Sequence, residues 1–252
     1  VSQRARQLLE SVGFDSIYIG KEPIFDLQNL PKLSKSIRQA AARARRKGFK
    51  VVPFDSAYQK QLEEICHQWQ DCRELPPLEF LFQLRPFELK QYKKYFLVVD
   101  PSDNICAFLA CSPIYARNGW YLEDLVRRPK AANGCTELLL TEALKSLSAE
   151  GFSMASLALA PLAGLPDRDE NHPILNFLLR LCYRHLSWAY HFQSLEYFKG
   201  KFQPSHWERN YFCVFRSGQK LGVTVSLLRS LMPRDILSIV RHKLEKWRFY
   251  EG

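Results

Sequence analysis

The sequence contains no apolar run long enough to cross a lipid bilayer. Its longest stretch without a charged residue covers residues 151–166, which is 16 residues, and it includes Pro161 and Pro166. A membrane-spanning helix needs about 20 predominantly apolar residues in succession. A transmembrane segment is therefore not expected within the 252 residues.

The sequence also lacks the cysteine and histidine spacings of metal sites. The cysteines number seven and include no C-x-x-C pair, and neither H-x-x-x-H nor H-E-x-x-H occurs. No secretory signal peptide or lipidation motif is recognisable. We therefore predict reduced thiols, a cytoplasmic protein and no bound metal ion.

The low hydrophobicity of disordered chains is absent as well. Apolar residues make up 46% of the sequence, aromatic residues 13% and charged residues 25%, which is the composition of a folded protein. The length of 252 residues fits one large domain or two small ones.

Positive charge is in excess and is concentrated in one segment. The 36 lysines and arginines against 26 acids give a net charge of +10, and no acid occurs between Leu27 and Phe54. Eight cations stand there: Lys32, Lys35, Arg38, Arg43, Arg45, Arg46, Lys47 and Lys50. With Ser34 or Ser36 as cap and Gly48 at the end, the segment predicts a helix with cations on most of its circumference. Such a helix favours a polyanion partner, either RNA or an anionic membrane surface, and a solvated surface helix is the alternative.

A second basic segment, residues 216–252, carries eight cations against three acids. Its apolar residues recur at helical spacing and predict basic amphipathic helices. They are Ile236, Ile239, Val240, Leu244 and Trp247. Packing on the core is the favoured interpretation, and binding to anionic lipid is the alternative.

Helical and strand patterns alternate along the rest of the chain. Strands are predicted within 16–20, 95–99, 105–111, 120–126, 152–160 and 211–215, and helices within 57–70, 135–151 and 172–189. This order predicts an α/β (α+β) fold with a mixed, largely antiparallel central sheet flanked by helices. It is similar to the order in GNAT acyltransferases, whose glycine-rich loop holds the pyrophosphate of coenzyme A. Only Gly134 stands in that loop here, which disfavours coenzyme A, and we predict no cofactor.

Five sequence blocks carry a more specific resemblance. They are IGKEPIFDL (19–27), KSIRQAAARARRKGFKV (35–51), YLEDLVRRPKAANGCTELLL (121–140), LALAPLAGL (157–165) and YRHLSWAYHFQSLEYFKGKFQPSHWERNY (183–211). In order and spacing they resemble the C-terminal catalytic region of bacterial aminoacyl-phosphatidylglycerol synthases, the phosphatidylglycerol lysyltransferase family. The last block, with its aromatic, lysine, proline and Arg-x-Tyr landmarks, is the most specific.

The resemblance implies an aminoacyltransferase with two tandem GNAT-like domains joined by a basic helix. Such an enzyme transfers an amino acid, lysine or alanine, from aminoacyl-tRNA to the hydroxyl of phosphatidylglycerol. It works at the inner face of the bacterial plasma membrane, as a peripheral cytoplasmic protein. Residues 1–30 would then be the tail of a first GNAT-like domain, 31–50 the linking helix, 51–216 the transferase domain and 217–252 the C-terminal helices.

The reaction that the resemblance implies needs a base for the hydroxyl, donors for the oxyanion and cations for phosphate groups. Asp124 is the predicted base, and Arg127 is a predicted ligand of the lipid phosphate or the tRNA end. Residues three apart on a regular strand point to opposite faces, so these two converge only if a bulge or strand end intervenes. A structural Asp–Arg pair is the alternative. The other predicted substrate-binding residues are Arg38, Arg45, Arg46, Lys199, Lys201 and Arg209, and plain surface placement is the alternative for the lysines.

Two further hypotheses remain open from the sequence. One keeps aminoacyl-tRNA as the donor and changes the acceptor to a peptidoglycan precursor, as in Fem-type transferases, or to a sterol. The other is a non-catalytic module of the same fold that binds RNA or lipid.

Overall fold

The structure, a computed structural model, describes residues 1–72, 84–167, 169, 171–185 and 192–215. The helices in these ranges are α1 (Gln3–Ser11), α2 (Lys35–Arg46), α3 (Gln59–Asp71), α4 (Cys135–Ala149), α5 (Pro173–His185) and α6 (Phe192–Gly200). The strands are β1 (Phe14–Asp26), β2 (Lys50–Pro53), β3 (Lys94–Val99), β4 (Ile105–Ile114), β5 (Gly119–Arg127), β6 (Met154–Ser156), β7 (Ala160–Pro161) and β8 (His206–Phe215).

The strands form one sheet in the order β2-β3-β4-β5-β6-β1-β7, with β8 paired to β1. Among the described strands, β5 and β6 are parallel and the other neighbouring pairs are antiparallel. The predicted fold class, a mixed and largely antiparallel sheet flanked by helices, is confirmed. Within the described ranges, no helix has the length and apolar character that a bilayer span requires.

The first strand lies inside this sheet, bonded to β6 and β7 on one side and to β8 on the other. Residues 14–26 therefore belong to the same sheet as the strands between residues 94 and 127. The assignment of residues 1–30 to the tail of a first domain, like the other predicted domain boundaries, stays a prediction. The predicted C-terminal helices, residues 217–252, lie outside the described residues.

Helices cover the two faces of the sheet and create separate apolar layers. On one face, α4 contributes Leu139, Leu140, Ala143, Leu144 and Leu147, which pack against Phe25, Leu109 and Leu122. On the other face, α3 contributes Leu62 and Ile65, which pack against Leu97, Val99, Phe108 and Val126. Burial of these side chains supplies most of the driving force for folding.

The basic helix α2 begins as the sequence predicts, because the Ser34 hydroxyl accepts a hydrogen bond from the Ile37 amide at 3.4 Å. The expectation of cations on most of its circumference is wrong. One face is buried, formed by Ile37, Ala40, Ala41 and Ala44, and packs against α4. The small side chains allow the two helices to approach closely.

Gly134 shows how close that approach is. It stands at φ 97°, and a Cβ atom there would lie 2.6 Å from the Ala40 carbonyl oxygen of α2. Only glycine avoids this overlap and adopts that φ without strain. The structure thus gives the one glycine of this loop a role in helix packing.

Two strand predictions are corrected by tertiary contacts. The single strand expected over 152–160 is instead β6 and β7, separated by Ala158 at φ 61°. The Ser156 hydroxyl accepts the Ala158 amide at 3.1 Å and stabilises this turn. β1 and β8 are longer than predicted because they pair with each other from Phe14↔Phe215 to Ile24↔His206.

Candidate active site

The candidate site lies where β5 and β6 separate. The two strands pair only at the start of β5, from Gly119↔Met154 to Tyr121↔Ser156. Beyond Tyr121, β5 continues along β4 as far as Arg127. The second half of β5 therefore pairs with β4 on one side and no longer pairs with β6 on the other.

A β-bulge in this half of β5 positions Asp124. Ala110 pairs with Asp124 and Cys111 pairs with Leu122, so Glu123 is an extra residue in β5. Asp124 is fully buried. Its charge acts on Cys66 of α3 and on Tyr95 of β3, which places it on the α3 face of the sheet.

The Asp124 carboxyl group is unusual because both of its oxygens lack a hydrogen-bond partner among the described residues. Burial, with a contribution from the charge of Glu123, raises its pKa to about 7, and the charge of Lys93 opposes the rise. Buried polar groups are nearly always paired in native proteins, so a buried carboxyl group without a partner indicates a candidate functional site. With this pKa, the group exchanges a proton near neutral pH.

The adjacent Glu123 differs because one oxygen of its carboxylate has two polar partners. Lys93 Nζ lies 3.1 Å from Glu123 Oε2, and the Ser112 hydroxyl donates to the same oxygen at 2.6 Å. The Lys93 ammonium also donates to the Arg85 carbonyl at 3.0 Å. Glu123 is thus held in an ion pair, which leaves Asp124 as the unpaired acid of the bulge.

The structure does not bring Arg127 to Asp124. The bulge precedes Asp124 rather than standing between the two residues, so they remain on opposite faces of the sheet. Arg127 is exposed on the α4 face. Burial raises the pKa of Cys135 at the start of α4 to about 11, and the nearby Arg127 charge opposes that rise. No bulge stands between Asp124 and Arg127, so the condition under which the two side chains would converge is not met.

Lys199, predicted to bind phosphate, lies in the interior. It is 7% exposed, and its Nζ donates to the carbonyls of Ala158 at 3.0 Å and Leu159 at 2.8 Å. Burial lowers its pKa to about 7, and the charge of Glu22 opposes the effect. This geometry fits a residue that holds the turn between β6 and β7 better than a surface ligand of phosphate.

The other predicted substrate-binding residues lie at the surface. Lys201 Nζ is 4.4 Å from the ring centroid of Tyr197. The exposed Arg209 stands opposite Lys21 in the backbone register of β8 and β1. On α2, Arg38 donates to the Leu33 carbonyl at 3.1 Å, Arg45 bonds to Glu142, and Arg46 is exposed. Because α2 packs against α4, its arginines share the α4 face with Arg127, away from Asp124.

Sequence reasoning missed Tyr121 and Glu22. Burial raises the pKa of Tyr121 to about 12, and the charges of Glu22, Glu123 and Asp124 act in the same direction, while a hydrogen bond with the Leu159 backbone opposes them. Glu22 accepts a hydrogen bond from the side-chain amide nitrogen (Nδ2) of Asn210 at 3.0 Å. Tyr121 therefore interacts both with Asp124 at the bulge and with Leu159 in the turn that Lys199 holds. Glu22 is part of the resembling block 19–27, but nothing in the local sequence distinguishes it.

Within the described ranges, no cluster of three metal-ligating side chains occurs.

Comparison with known proteins agrees with this fold. The family model described as phosphatidylglycerol lysyltransferase, C-terminal, matches residues 1–214. The phosphatidylglycerol lysyltransferase of Bacillus subtilis (strain 168) is 24% identical over 240 residues. The solved structure of L-PGS from Bacillus licheniformis superposes with a TM-score of 0.68 at 20% identity, and it covers 92% of this chain and 71% of that one. The C-terminal domain of a putative lysylphosphatidylglycerol synthetase from Agrobacterium fabrum gives 0.69 at 18% identity, with 91% and 70% covered.

The match does not extend over the whole of the curated relatives. It covers 90% of this chain but 27% of the Bacillus subtilis protein, and 96% of this chain but 28% of the Staphylococcus aureus (strain MRSA252) protein. This chain thus corresponds to one part of longer proteins. On the family match over residues 1–214, the chain belongs to the family of phosphatidylglycerol lysyltransferase C-terminal regions.

Proposed function

We propose that this chain is the catalytic part of an enzyme that transfers an amino acid from aminoacyl-tRNA to the hydroxyl of phosphatidylglycerol. The family match over residues 1–214 is the observation that carries the proposal. Relatives named phosphatidylglycerol lysyltransferase favour lysine as the amino acid, and alanine is the alternative. The reaction would take place at the cytoplasmic surface of the plasma membrane, where this lipid substrate meets tRNA.

Asp124 acts as the general base in this proposal. The hydroxyl oxygen of the lipid attacks the carbonyl carbon of the aminoacyl ester, and Asp124 accepts the hydroxyl proton. The tetrahedral intermediate then collapses, the bond to the ribose oxygen of tRNA breaks, and the proton passes to that oxygen. An unpaired carboxylate with a pKa of about 7 is suited to this task, since base catalysis is most efficient when the pKa lies near the working pH.

Tyr121 supplies a donor close to this base. Its pKa of about 12 keeps the phenol protonated at neutral pH, so its O–H group is available to stabilise the oxyanion of the intermediate. Lys199 supports the same region indirectly, because it holds the carbonyls of Ala158 and Leu159 in the turn that follows β6.

The α4 face would receive the tRNA. Arg38 and Arg46 of α2 and Arg127 of β5 are exposed cations on this face, and phosphate contacts by such residues supply most of the affinity for nucleic acid. The aminoacyl end would then reach Asp124 through the gap that opens between β5 and β6 after Tyr121. Since Asp124 is fully buried, the side chains that cover it must move apart when substrate binds.

A transfer assay tests the proposal. Purified chain is mixed with tRNA charged with radiolabelled amino acids and with phosphatidylglycerol vesicles, and label is counted in the lipid extract. We expect label in the lipid with wild type and with the control Asp100→Asn, and an initial rate at least about 100-fold lower with Asp124→Asn. Label in a peptidoglycan precursor or sterol offered instead would show another acceptor, and binding of charged tRNA with no transfer would show a non-catalytic module.

A further inference from the structure

Helix α5 is apolar on two sides, although only one side faces the core. Leu175 and Leu179 are 2% and 1% exposed and pack with Ile17, Leu162 and Phe192. On the other side, three large apolar side chains face solvent. They are Ile174, Phe177 and Leu181, with exposed fractions of 69%, 65% and 45%.

The three exposed side chains form a continuous stripe, because spacings of three and four residues place them on one helix face. Three positions further along the same face stands the exposed Arg184. We call Ile174, Phe177, Leu181 and Arg184 the α5 stripe. A contiguous apolar patch rimmed by polar groups marks an interaction surface.

The two aspartates that border the α5 stripe, Asp167 and Asp169, already have hydrogen-bond partners. Arg180 Nη1 lies 2.6 Å from Asp167 Oδ1. Asp169 Oδ1 accepts the amides of Asn171 and His172 at 2.9 and 3.1 Å, at the start of α5. Arg180 therefore balances the charge of Asp167, backbone donors stabilise the negative charge that Asp169 keeps, and Arg184 gives its end of the stripe a positive charge.

We propose that the α5 stripe is the surface through which this protein docks on an anionic phospholipid bilayer. The choice of a lipid partner rests on the proposed function, which requires the protein to reach phosphatidylglycerol in a membrane. A helix lying in the interface inserts an apolar face among the acyl chains and places its cations at the lipid phosphates. The α5 stripe presents this combination on one helix.

Charge favours a bilayer over a second copy of the chain. Two copies meeting at this surface would bring together two proteins of net charge +10 each, and like charges oppose such association. An anionic bilayer reverses the sign of that interaction. The apolar side chains and the net charge then act in the same direction.

Vesicle co-sedimentation without tRNA tests the proposal. The 252-residue chain is mixed with vesicles of phosphatidylcholine that contain phosphatidylglycerol, and the partition coefficient is measured. In the double variant Phe177→Gln, Leu181→Gln we expect a fall of at least about tenfold. Glutamine keeps the helix propensity, and circular dichroism verifies the fold. The matched control is Leu8→Gln, since Leu8 is 67% exposed on α1 and should leave the coefficient within about twofold of wild type, an effect typical of neutral surface changes.

The charge of the α5 stripe is tested separately. Arg184→Gln should reduce binding to vesicles with phosphatidylglycerol more than binding to vesicles of phosphatidylcholine alone, whereas Lys60→Gln, on the exposed surface of α3, should have a smaller effect. Equal effects of the two substitutions would overturn the assignment of Arg184 to the docking surface.

Two results would overturn the proposal as a whole. One is a double variant that binds vesicles as wild type does. The other is a wild-type dimer in light scattering that the double variant abolishes, which would make the stripe a contact between copies. Transfer to monomeric short-chain phosphatidylglycerol separates this proposal from the proposed function. If wild type shows no transfer but the double variant loses vesicle binding, docking stands and the enzymatic proposal fails. If both proteins transfer to the short-chain lipid and bind vesicles equally, the enzymatic proposal stands and docking fails.

Discussion

Replacement of Asp124 by asparagine is expected to remove a pH-dependent loss of stability. The buried carboxyl has a pKa of about 7, against about 3.9 for aspartate in an unfolded chain. Between these values the folded protein keeps a proton that the unfolded chain releases, so the contribution of this group to stability is largest at low pH and is lost as the pH rises through 7. Between pH 5 and pH 8, this one group costs the wild type about 2.5 kcal/mol. Asparagine does not titrate, and the variant escapes this loss.

Thermal unfolding of wild type and Asp124→Asn at pH 5 and at pH 8 measures the effect. The Tm of the variant relative to wild type should rise by roughly 5–10 °C between the two pH values. The comparison of two pH values cancels the constant cost of burying an amide. Asp100→Asn is the control, because the backbone amide and side chain of Asn104 hold the pKa of Asp100 below its usual value, and its effect should be the same at both pH values. Identical pH dependence in wild type and Asp124→Asn would refute the account of a buried, unpaired carboxyl.

Three further predictions concern helix packing, the buried lysine and the basic helix. Gly134→Ala should lower the free energy of unfolding, measured by chemical denaturation, by about 2 kcal/mol or more, since a Cβ would lie 2.6 Å from a carbonyl oxygen. The control Gly151→Ala has open space around it and should lower the same free energy by only about 1 kcal/mol. Lys199→Met should destabilise the protein by about 1–3 kcal/mol by leaving two carbonyls unpaired. Because burial lowers the lysine pKa to about 7, wild type gains stability as the lysine loses its charge, and the difference in Tm between wild type and variant should widen between pH 6 and pH 9. A difference in Tm that stays constant over this range would contradict the buried lysine. Replacing Arg38 and Arg46 by glutamine should weaken tRNA binding and reduce the slope of log affinity against log salt by about one for each phosphate that the protein no longer neutralises, whereas Lys199→Met should leave that slope unchanged.

The local elements could be predicted because their signals are local. The Ser34 cap, the neighbouring strands β3 and β4 and the helix α4 all appear in the sequence pattern and in the structure. Even the buried face of α2 had a signal, since Ile37, Ala40, Ala41 and Ala44 recur at helical spacing. The eight cations of the same segment instead predict a helix with cations on most of its circumference.

The features that failed depend on residues far apart in the chain. β1 is long because β8 pairs with it across almost 200 positions, and the break between β6 and β7 is held by Lys199, 40 and 41 positions away. Asp124 was identified through the resemblance, but its burial follows from the packing of α3, and its separation from Arg127 follows from where the bulge falls. Periodicity carries none of this information, because it describes one strand or helix at a time.

The role of Asp124 as the base of aminoacyl transfer is tested most directly by single-turnover transfer of lysine from lysyl-tRNA to phosphatidylglycerol between pH 5.5 and pH 8. The account predicts a rate that rises as Asp124 ionises and levels off above its pKa of about 7. It also predicts an Asp124→Asn variant that binds charged tRNA normally and is at least about 100-fold slower. A variant that transfers at the wild-type rate, or that keeps the wild-type pH profile, would contradict it.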